Sequence, residues 1–146
     1  MLEKEIQEVL AAKDTRDSLQ RFKKLEARCS DSNEMYQYWP LYLAGLTGPN
    51  SCNRARGFKL LMKTVKWDEQ RQLDEHLPEI LAVLEDEKSI TIRQCIPYLQ
   101  ELFDARPDVK PLVIDKLEQL ELSKYKESMQ SLIKRDIANL LKESAE

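Results

Sequence analysis

Apolar residues recur at intervals of three and four along almost the entire chain, which is the spacing of one face of an α-helix. The stripe Phe58, Leu61, Met62 and Val65 is one example. No run alternates with a period of two for long, no Asn-Gly or Asp-Gly hairpin turn occurs, and the 146 residues include only 3 glycines. The spacing therefore predicts an all-α chain of roughly eight helices with short connections.

Basic residues mark a repeat along this helical chain. Near the start of every second helix, a basic residue is followed three and six positions later by apolar or small residues. These basic residues are Arg16, Arg54, Arg93 and Lys126, at intervals of 38, 39 and 33 residues. A hairpin of two packed helices needs about this length, so the sequence predicts about four stacked hairpins in a single domain. That domain spans 1–146, and its predicted repeats cover approximately 2–30, 33–67, 69–106 and 107–143.

Several segments carry a resemblance to a known family. An inter-helix turn is followed by the pattern apolar-Arg-x-x-small-x-x-Leu, which Ile92-Arg93 matches best. The further segments are Lys66-Trp67-Asp68, Thr91-Ile92-Arg93-Gln94-Cys95-Ile96, Ser123-Lys124-Tyr125-Lys126, Ser128-Met129 and Leu132-Ile133-Lys134-Arg135-Asp136-Ile137. The repeat pattern resembles the HEAT repeat. The whole chain resembles a small family of bacterial HEAT-like proteins, some of them labelled after iron–sulfur assembly proteins of the SufBD type. The resemblance implies a HEAT-like α-α superhelix, or solenoid, that binds along its length, and it implies no known ligand.

The small net charge is the sum of a positive charge on one set of predicted helices and a negative charge on the rest of the chain. The chain has 23 Lys and Arg residues against 26 Asp and Glu residues, a net charge of −3. The predicted second helices, 13–29, 50–66, 89–106 and 124–142, hold 18 basic and 7 acidic residues, a net charge of +11, and the remainder carries −14. In HEAT-like solenoids the second helices line the concave face. The resemblance therefore implies a basic concave surface, which would attract acidic partners.

The leading hypothesis for function is a cytoplasmic scaffold that binds a partner protein without catalysis. We expect an acidic segment of the partner to lie on the exposed side chains of the basic layer. The residues predicted to contact it are Arg54, Arg56, Lys59, Lys63, Arg93, Gln94, Tyr125, Lys126, Lys134 and Arg135.

Three alternatives stay open. The basic residues could instead be solvated and paired with acids on neighbouring helices. The protein could bind nucleic acid as a distant relative of the HEAT-like DNA glycosylases without their catalytic residues, since phosphate contacts favour a basic surface. The pI of 5.4 opposes that interpretation. The chain could also be an accessory subunit of an enzyme complex, including one for iron–sulfur assembly.

The sequence predicts no catalytic residue, no metal site and no cofactor. His76 is the only histidine, and no glycine-rich phosphate loop is present. Cys29, Cys52 and Cys95 form no close pair of metal ligands, although Cys52 is the candidate for a more reactive thiol. Asp68 is predicted to cap a helix.

The first residues of the chain and its cysteines give an expectation for the cellular compartment of the protein. The chain opens on a charged amphipathic stretch without an apolar leader, and no stretch approaches the roughly 18 apolar residues of a membrane span. Isolated cysteines are typical of a reducing compartment. We therefore expect a cytoplasmic location and no membrane contact, while the oligomeric state is left open.

Overall fold

Every regular element is helical in the computed structural model, which describes residues 2–145 and leaves Met1 and Glu146 of the predicted domain outside. The 3-10 turn Ile96–Tyr98 joins two of the α-helices into one bent rod, because Pro97 lacks a backbone donor. The described residues thus form eight helical rods, which confirms the predicted all-α class and helix number. The α-helices in chain order are α1 (Leu2–Val9), α2 (Arg16–Asp31), α3 (Trp39–Gly45), α4 (Ser51–Thr64), α5 (Gln72–Leu81), α6 (Ser89–Cys95), α7 (Leu99–Ala105), α8 (Lys110–Glu118) and α9 (Glu127–Ser144).

The rods alternate between a first and a second helix of successive hairpins. The first helices are α1, α3, α5 and α8, and the last three of these are extended by the 3-10 turns Asn33–Tyr38, Ala82–Glu85 and Pro107–Val109. The second helices are α2, α4, the rod α6–α7, and α9. These bounds agree closely with the predicted second-helix windows, because caps and prolines mark the helix ends in the sequence.

The second helices α2, α4 and α6–α7 run parallel to one another. In these two adjacent pairs the side-chain contacts advance in step along both partners, from the beginning of each helix towards its end, and a single residue pair joins α6 to α9. The contacting residues are 35 to 43 positions apart: Arg56 with Ser18, Lys66 with Ser30, Lys59 with Gln94, Lys63 with Glu101, and Arg93 with Asp136. For the first three second helices this separation of 35 to 38 residues is close to the predicted intervals of 38 and 39, whereas the last contact spans 43 residues against a predicted interval of 33. The stacking is compatible with a solenoid.

A single hydrophobic core extends from α1 to α9, with α4 at its centre. α4 is buried on most of its circumference, because α2, α3 and α6 all pack against it. The helices α3 and α4 approach so closely that a Cβ at Gly57 would lie 2.8 Å from the Tyr42 carbonyl oxygen. No helix in the described part of the chain has the length and apolar character needed to cross a membrane.

Asp68 fixes the start of α5, as the sequence predicts. Its two carboxylate oxygens accept hydrogen bonds from the backbone N–H groups of Gln72 and Leu73, each at 2.9 Å. These are free donors of the first helical turn, which need such a partner. The Tyr36 hydroxyl also donates to Asp68, so the cap links two successive hairpins.

Candidate binding surface

Arg56 is buried in the interface between α2 and α4. Its side chain is only about 2% exposed, and its guanidinium donates to Ser18 Oγ at 3.1 Å. The guanidinium also lies 3.5 Å from the Asp14 carboxylate and 5.6 Å from the centre of the Phe22 ring. The prediction that Arg56 is an exposed partner-binding residue is wrong, because α2 covers the side of α4 that carries it.

Lys59 occupies a half-buried position between two aromatic rings. Its ammonium lies 5.7 Å from the Phe22 ring centre and 5.6 Å from the Tyr98 ring centre, and it donates to Gln94 Oε1 at 3.0 Å. Burial lowers the pKa of Lys59. Only part of this predicted binding residue therefore faces solvent, while Gln94 itself is exposed.

Tyr98 closes over the centre of the second-helix layer. Lys63 donates to Glu101 Oε1 at 2.8 Å and lies 5.6 Å from the Tyr98 ring centre. The Tyr98 hydroxyl donates to Glu26 on α2, so the third hairpin contacts the first one across α4. The predicted basic stripe on α4 is thus covered by an aromatic ring and flanked by two carboxylates.

Arg93 joins α6 to α9 rather than facing solvent alone. Its guanidinium makes two hydrogen bonds to the Asp136 carboxylate, at 2.7 and 3.2 Å. Donation of these hydrogen bonds to the Asp136 carboxylate also raises the pKa of Arg93. Together with the partners of Arg56 and Lys63, this pair favours the interpretation that acids of neighbouring helices neutralise the centre of the basic layer.

Arg54 and Tyr125 hold together the turns that precede α6 and α9. Arg54 binds the Asp86 carboxylate through two hydrogen bonds, at 2.7 and 3.2 Å, and donates to the Gly48 carbonyl at 2.9 Å. Asp86 accepts the Lys88 N–H at 2.9 Å, and its carbonyl accepts the Tyr125 hydroxyl. Burial alone would raise the pKa of Asp86, but hydrogen bonds from Arg54 and the Lys88 N–H outweigh it and keep the pKa below its ordinary value. Arg54 and Tyr125, both predicted to contact the partner, are therefore largely occupied within the protein.

Three lysines converge on a pocket between these two turns. We call it the turn pocket; its volume is about 450 Å³. Within residues 2–145, none of the three ammonium groups forms an ion pair with a carboxylate. Lys124 is nevertheless fixed, because it donates to the Glu85 carbonyl at 2.7 Å and lies 5.2 Å from the Tyr125 ring centre. The pocket is lined by Glu87, Lys88, Ser89, Lys124, Tyr125, Lys126, Ser128 and Met129.

The ten predicted residues are thus divided among different environments. Lys126 lines the turn pocket, whereas Lys134 and Arg135 are exposed further along α9. Lys134 lines a separate groove between α8 and α9. Lys88 lies outside the predicted second-helix windows, and Lys124 is one of the five basic residues in the last of them. The sequence feature that indicates this site is the presence of lysines in the turns before α6 and before α9.

The nucleophilic and metal-ligating residue types are dispersed. No three His, Cys, Asp or Glu side chains in the described residues are grouped as a metal site. Burial raises the pKa of Cys52, and raises that of Cys29 to about 12. A raised pKa reduces the thiolate fraction, so the surroundings of Cys52 do not favour the more reactive thiol expected there.

Comparisons of the chain with protein-family models, with curated proteins and with solved structures found no match. Its function is therefore inferred from its own residues.

Proposed function

We propose that the protein is a small, cytoplasmic HEAT-like solenoid that binds an acidic segment of a partner protein and has no catalytic role. The observation that carries this proposal is the convergence of Lys88, Lys124 and Lys126 on the turn pocket without paired carboxylates. The parallel second helices and their regular spacing support the solenoid part of the proposal. The three free cysteines support a reducing compartment.

The unpaired charge in the turn pocket favours an acidic ligand. Three ammonium groups held around one concavity repel one another, and a bound carboxylate relieves that repulsion. The basic residues at the centre of the layer already have internal partners, so an acidic segment gains less by contacting them. The binding site therefore lies at the edge where α6 and α9 begin.

The contribution of these three lysines to binding affinity depends on how exposed their side chains are. Each exposed ion pair contributes about 0.2–1 kcal/mol, so three contribute up to about 3 kcal/mol. A contribution of about 2 kcal/mol corresponds to about 30-fold in Kd. Salt weakens such contacts, because charges at an exposed site are screened. The interaction is therefore expected to be moderate and steeply dependent on ionic strength.

The proposal is tested with a fluorescein-labelled oligoglutamate peptide and fluorescence anisotropy. We expect saturable binding to the wild type and a loss of about 30-fold or more when Lys88, Lys124 and Lys126 are all changed to Glu. Circular dichroism should show unchanged helicity in this variant, because all three side chains are exposed.

A matched control separates the site from the net charge of the protein. The triple variant K4E/K23E/K24E acquires the same charge on exposed positions of α1 and α2. It should bind the peptide nearly as tightly as the wild type. Equal losses in the two variants, or no binding by the wild type, would refute the proposal. Retardation of random duplex DNA at physiological salt, without peptide binding, would establish the nucleic-acid alternative instead.

A further inference from the structure

The charge in the turn pocket exceeds what one carboxylate can neutralise. Three lysines line the pocket, and among the described residues the only carboxylate in its lining is that of Glu87. The Glu87 side chain is 78% exposed and lies 3.8 Å from an Arg54 nitrogen, so part of its charge is directed to Arg54. A glutamate side chain would bring one negative charge to this excess, whereas a phosphomonoester carries about −1.5 to −2 at neutral pH.

The donors of the pocket match a group with three oxygens. Each ammonium offers up to three N–H donors, and the hydroxyls of Ser89 and Ser128 add two more polar groups to the lining. The lining contains no guanidinium, the group that matches a flat carboxylate through two parallel hydrogen bonds. Separate point donors around a concavity suit the tetrahedral oxygens of a phosphoryl group better than the two coplanar oxygens of a carboxylate.

The frame of the pocket is fixed before any ligand binds. Asp86 holds the backbone of Lys88, and Arg54 holds Asp86. The Glu85 carbonyl and the Tyr125 ring hold Lys124. Lys124 and the backbone of the turn are thus held in place before binding, whereas the exposed side chains of Lys88 and Lys126 become ordered on the ligand, at an entropic cost.

We propose that the turn pocket binds a phosphorylated serine or threonine side chain within the partner's acidic segment. This proposal rests on the proposed function, since it names the group that the same pocket recognises. The ammonium groups of Lys88, Lys124 and Lys126 contact the phosphoryl oxygens, and the flanking acidic residues of the peptide follow the exposed basic side chains of α9. Phosphorylation of the partner then controls its affinity for this protein.

The experiment compares three labelled peptides of one acidic sequence that differ only at a central position, which is serine, glutamate or phosphoserine. The phosphoserine peptide should bind the wild type at least about tenfold more tightly than the glutamate peptide, because its charge and acceptor number are larger. Inorganic phosphate should displace it at concentrations where chloride of equal ionic strength does not. The K88Q/K124Q/K126Q variant should bind all three peptides with similar, weak affinity, whereas K4Q/K23Q/K24Q should preserve their order.

The outcomes separate this inference from the proposed function. Equal affinity for the glutamate and phosphoserine peptides, with both lost in the pocket variant, would overturn the phosphoryl proposal and leave acidic-segment binding intact. A phosphoserine preference that persists in the pocket variant would also overturn it, because another site would be responsible. Failure of every peptide to bind the wild type would overturn both proposals.

Discussion

Replacing Arg56 with glutamate should strongly destabilise the fold, an effect that is separate from any weakening of partner binding. Arg56 lies on the same helical stripe as Lys59 and Lys63, the half-buried lysines of α4, so from the sequence alone this charge reversal would leave the fold intact. In the structure the side chain is almost completely buried against Phe22 and Ser18. The sequence pattern therefore predicts a stable Arg56→Glu variant, whereas the buried position of Arg56 predicts a destabilised one.

The loss in the free energy of unfolding can be worked out from the contacts of the Arg56 guanidinium. Loss of the charged hydrogen bond to Ser18 costs about 1.5–3 kcal/mol. The contact with Asp14 adds less than about 1 kcal/mol, because the Asp14 side chain is 70% exposed. A buried carboxylate without a donor costs several kcal/mol more, so Arg56→Glu should lower the free energy of unfolding by about 4 kcal/mol or more. Arg56→Met keeps the apolar volume and avoids the buried charge, and should cost about 1–2 kcal/mol.

Urea unfolding followed by far-UV circular dichroism measures both values from the midpoint at constant m. The exposed substitution Lys126→Glu serves as the control and should change stability by no more than about 0.5 kcal/mol. A midpoint for Arg56→Glu equal to that of the control would refute the burial of Arg56 between α2 and α4.

Three further substitutions test other contacts of the fold. Gly57→Ala forces a Cβ to within 2.8 Å of the Tyr42 carbonyl oxygen and should destabilise the protein by about 1–3 kcal/mol, seen as a lower Tm. Asp68→Ala leaves the first turn of α5 without its cap and should cost about 1–2 kcal/mol in urea unfolding, part of which Asp68→Asn restores. The pKa of Asp86 is lower in the folded than in the unfolded state, so its charge stabilises the fold above about pH 3.9 and this contribution is lost as the pH falls further. Asp86→Asn should therefore flatten the acid limb of the stability–pH curve, and an unchanged limb would show that the contact with Arg54 is not maintained in solution.

The sequence predicts the helices and their order well, because apolar spacing and caps are local signals. The interval between Arg54 and Arg93 even gives the register of neighbouring second helices, since both residues begin equivalent helices. Asp68 could likewise be identified as a cap, because capping depends on residues only a few positions away.

The candidate site could not be predicted in the same way, because it depends on contacts between hairpins. Helical spacing shows which face of α4 is apolar, but it does not show that α2 covers Arg56 on the opposite stripe. It also gives no sign that Tyr98 crosses α4 to reach Glu26. The pocket itself combines Lys88 with Lys124, two residues of different hairpins that only the stacking brings together.

The contact between Tyr98 and Glu26 has a consequence for cooperativity. In an ideal stack of repeats each unit interacts only with its immediate neighbours, so stability behaves as a one-dimensional chain and the ends fray separately. Here a hydroxyl of the third hairpin binds a carboxylate of the first, and Lys59 of the second lies beneath the same ring. The first three hairpins are therefore expected to unfold as one block. The hairpin of α8 and α9 takes no part in the contact between Tyr98 and Glu26, so its amide hydrogens should exchange first. This order is expected even though α9 is the longest helix of the described chain.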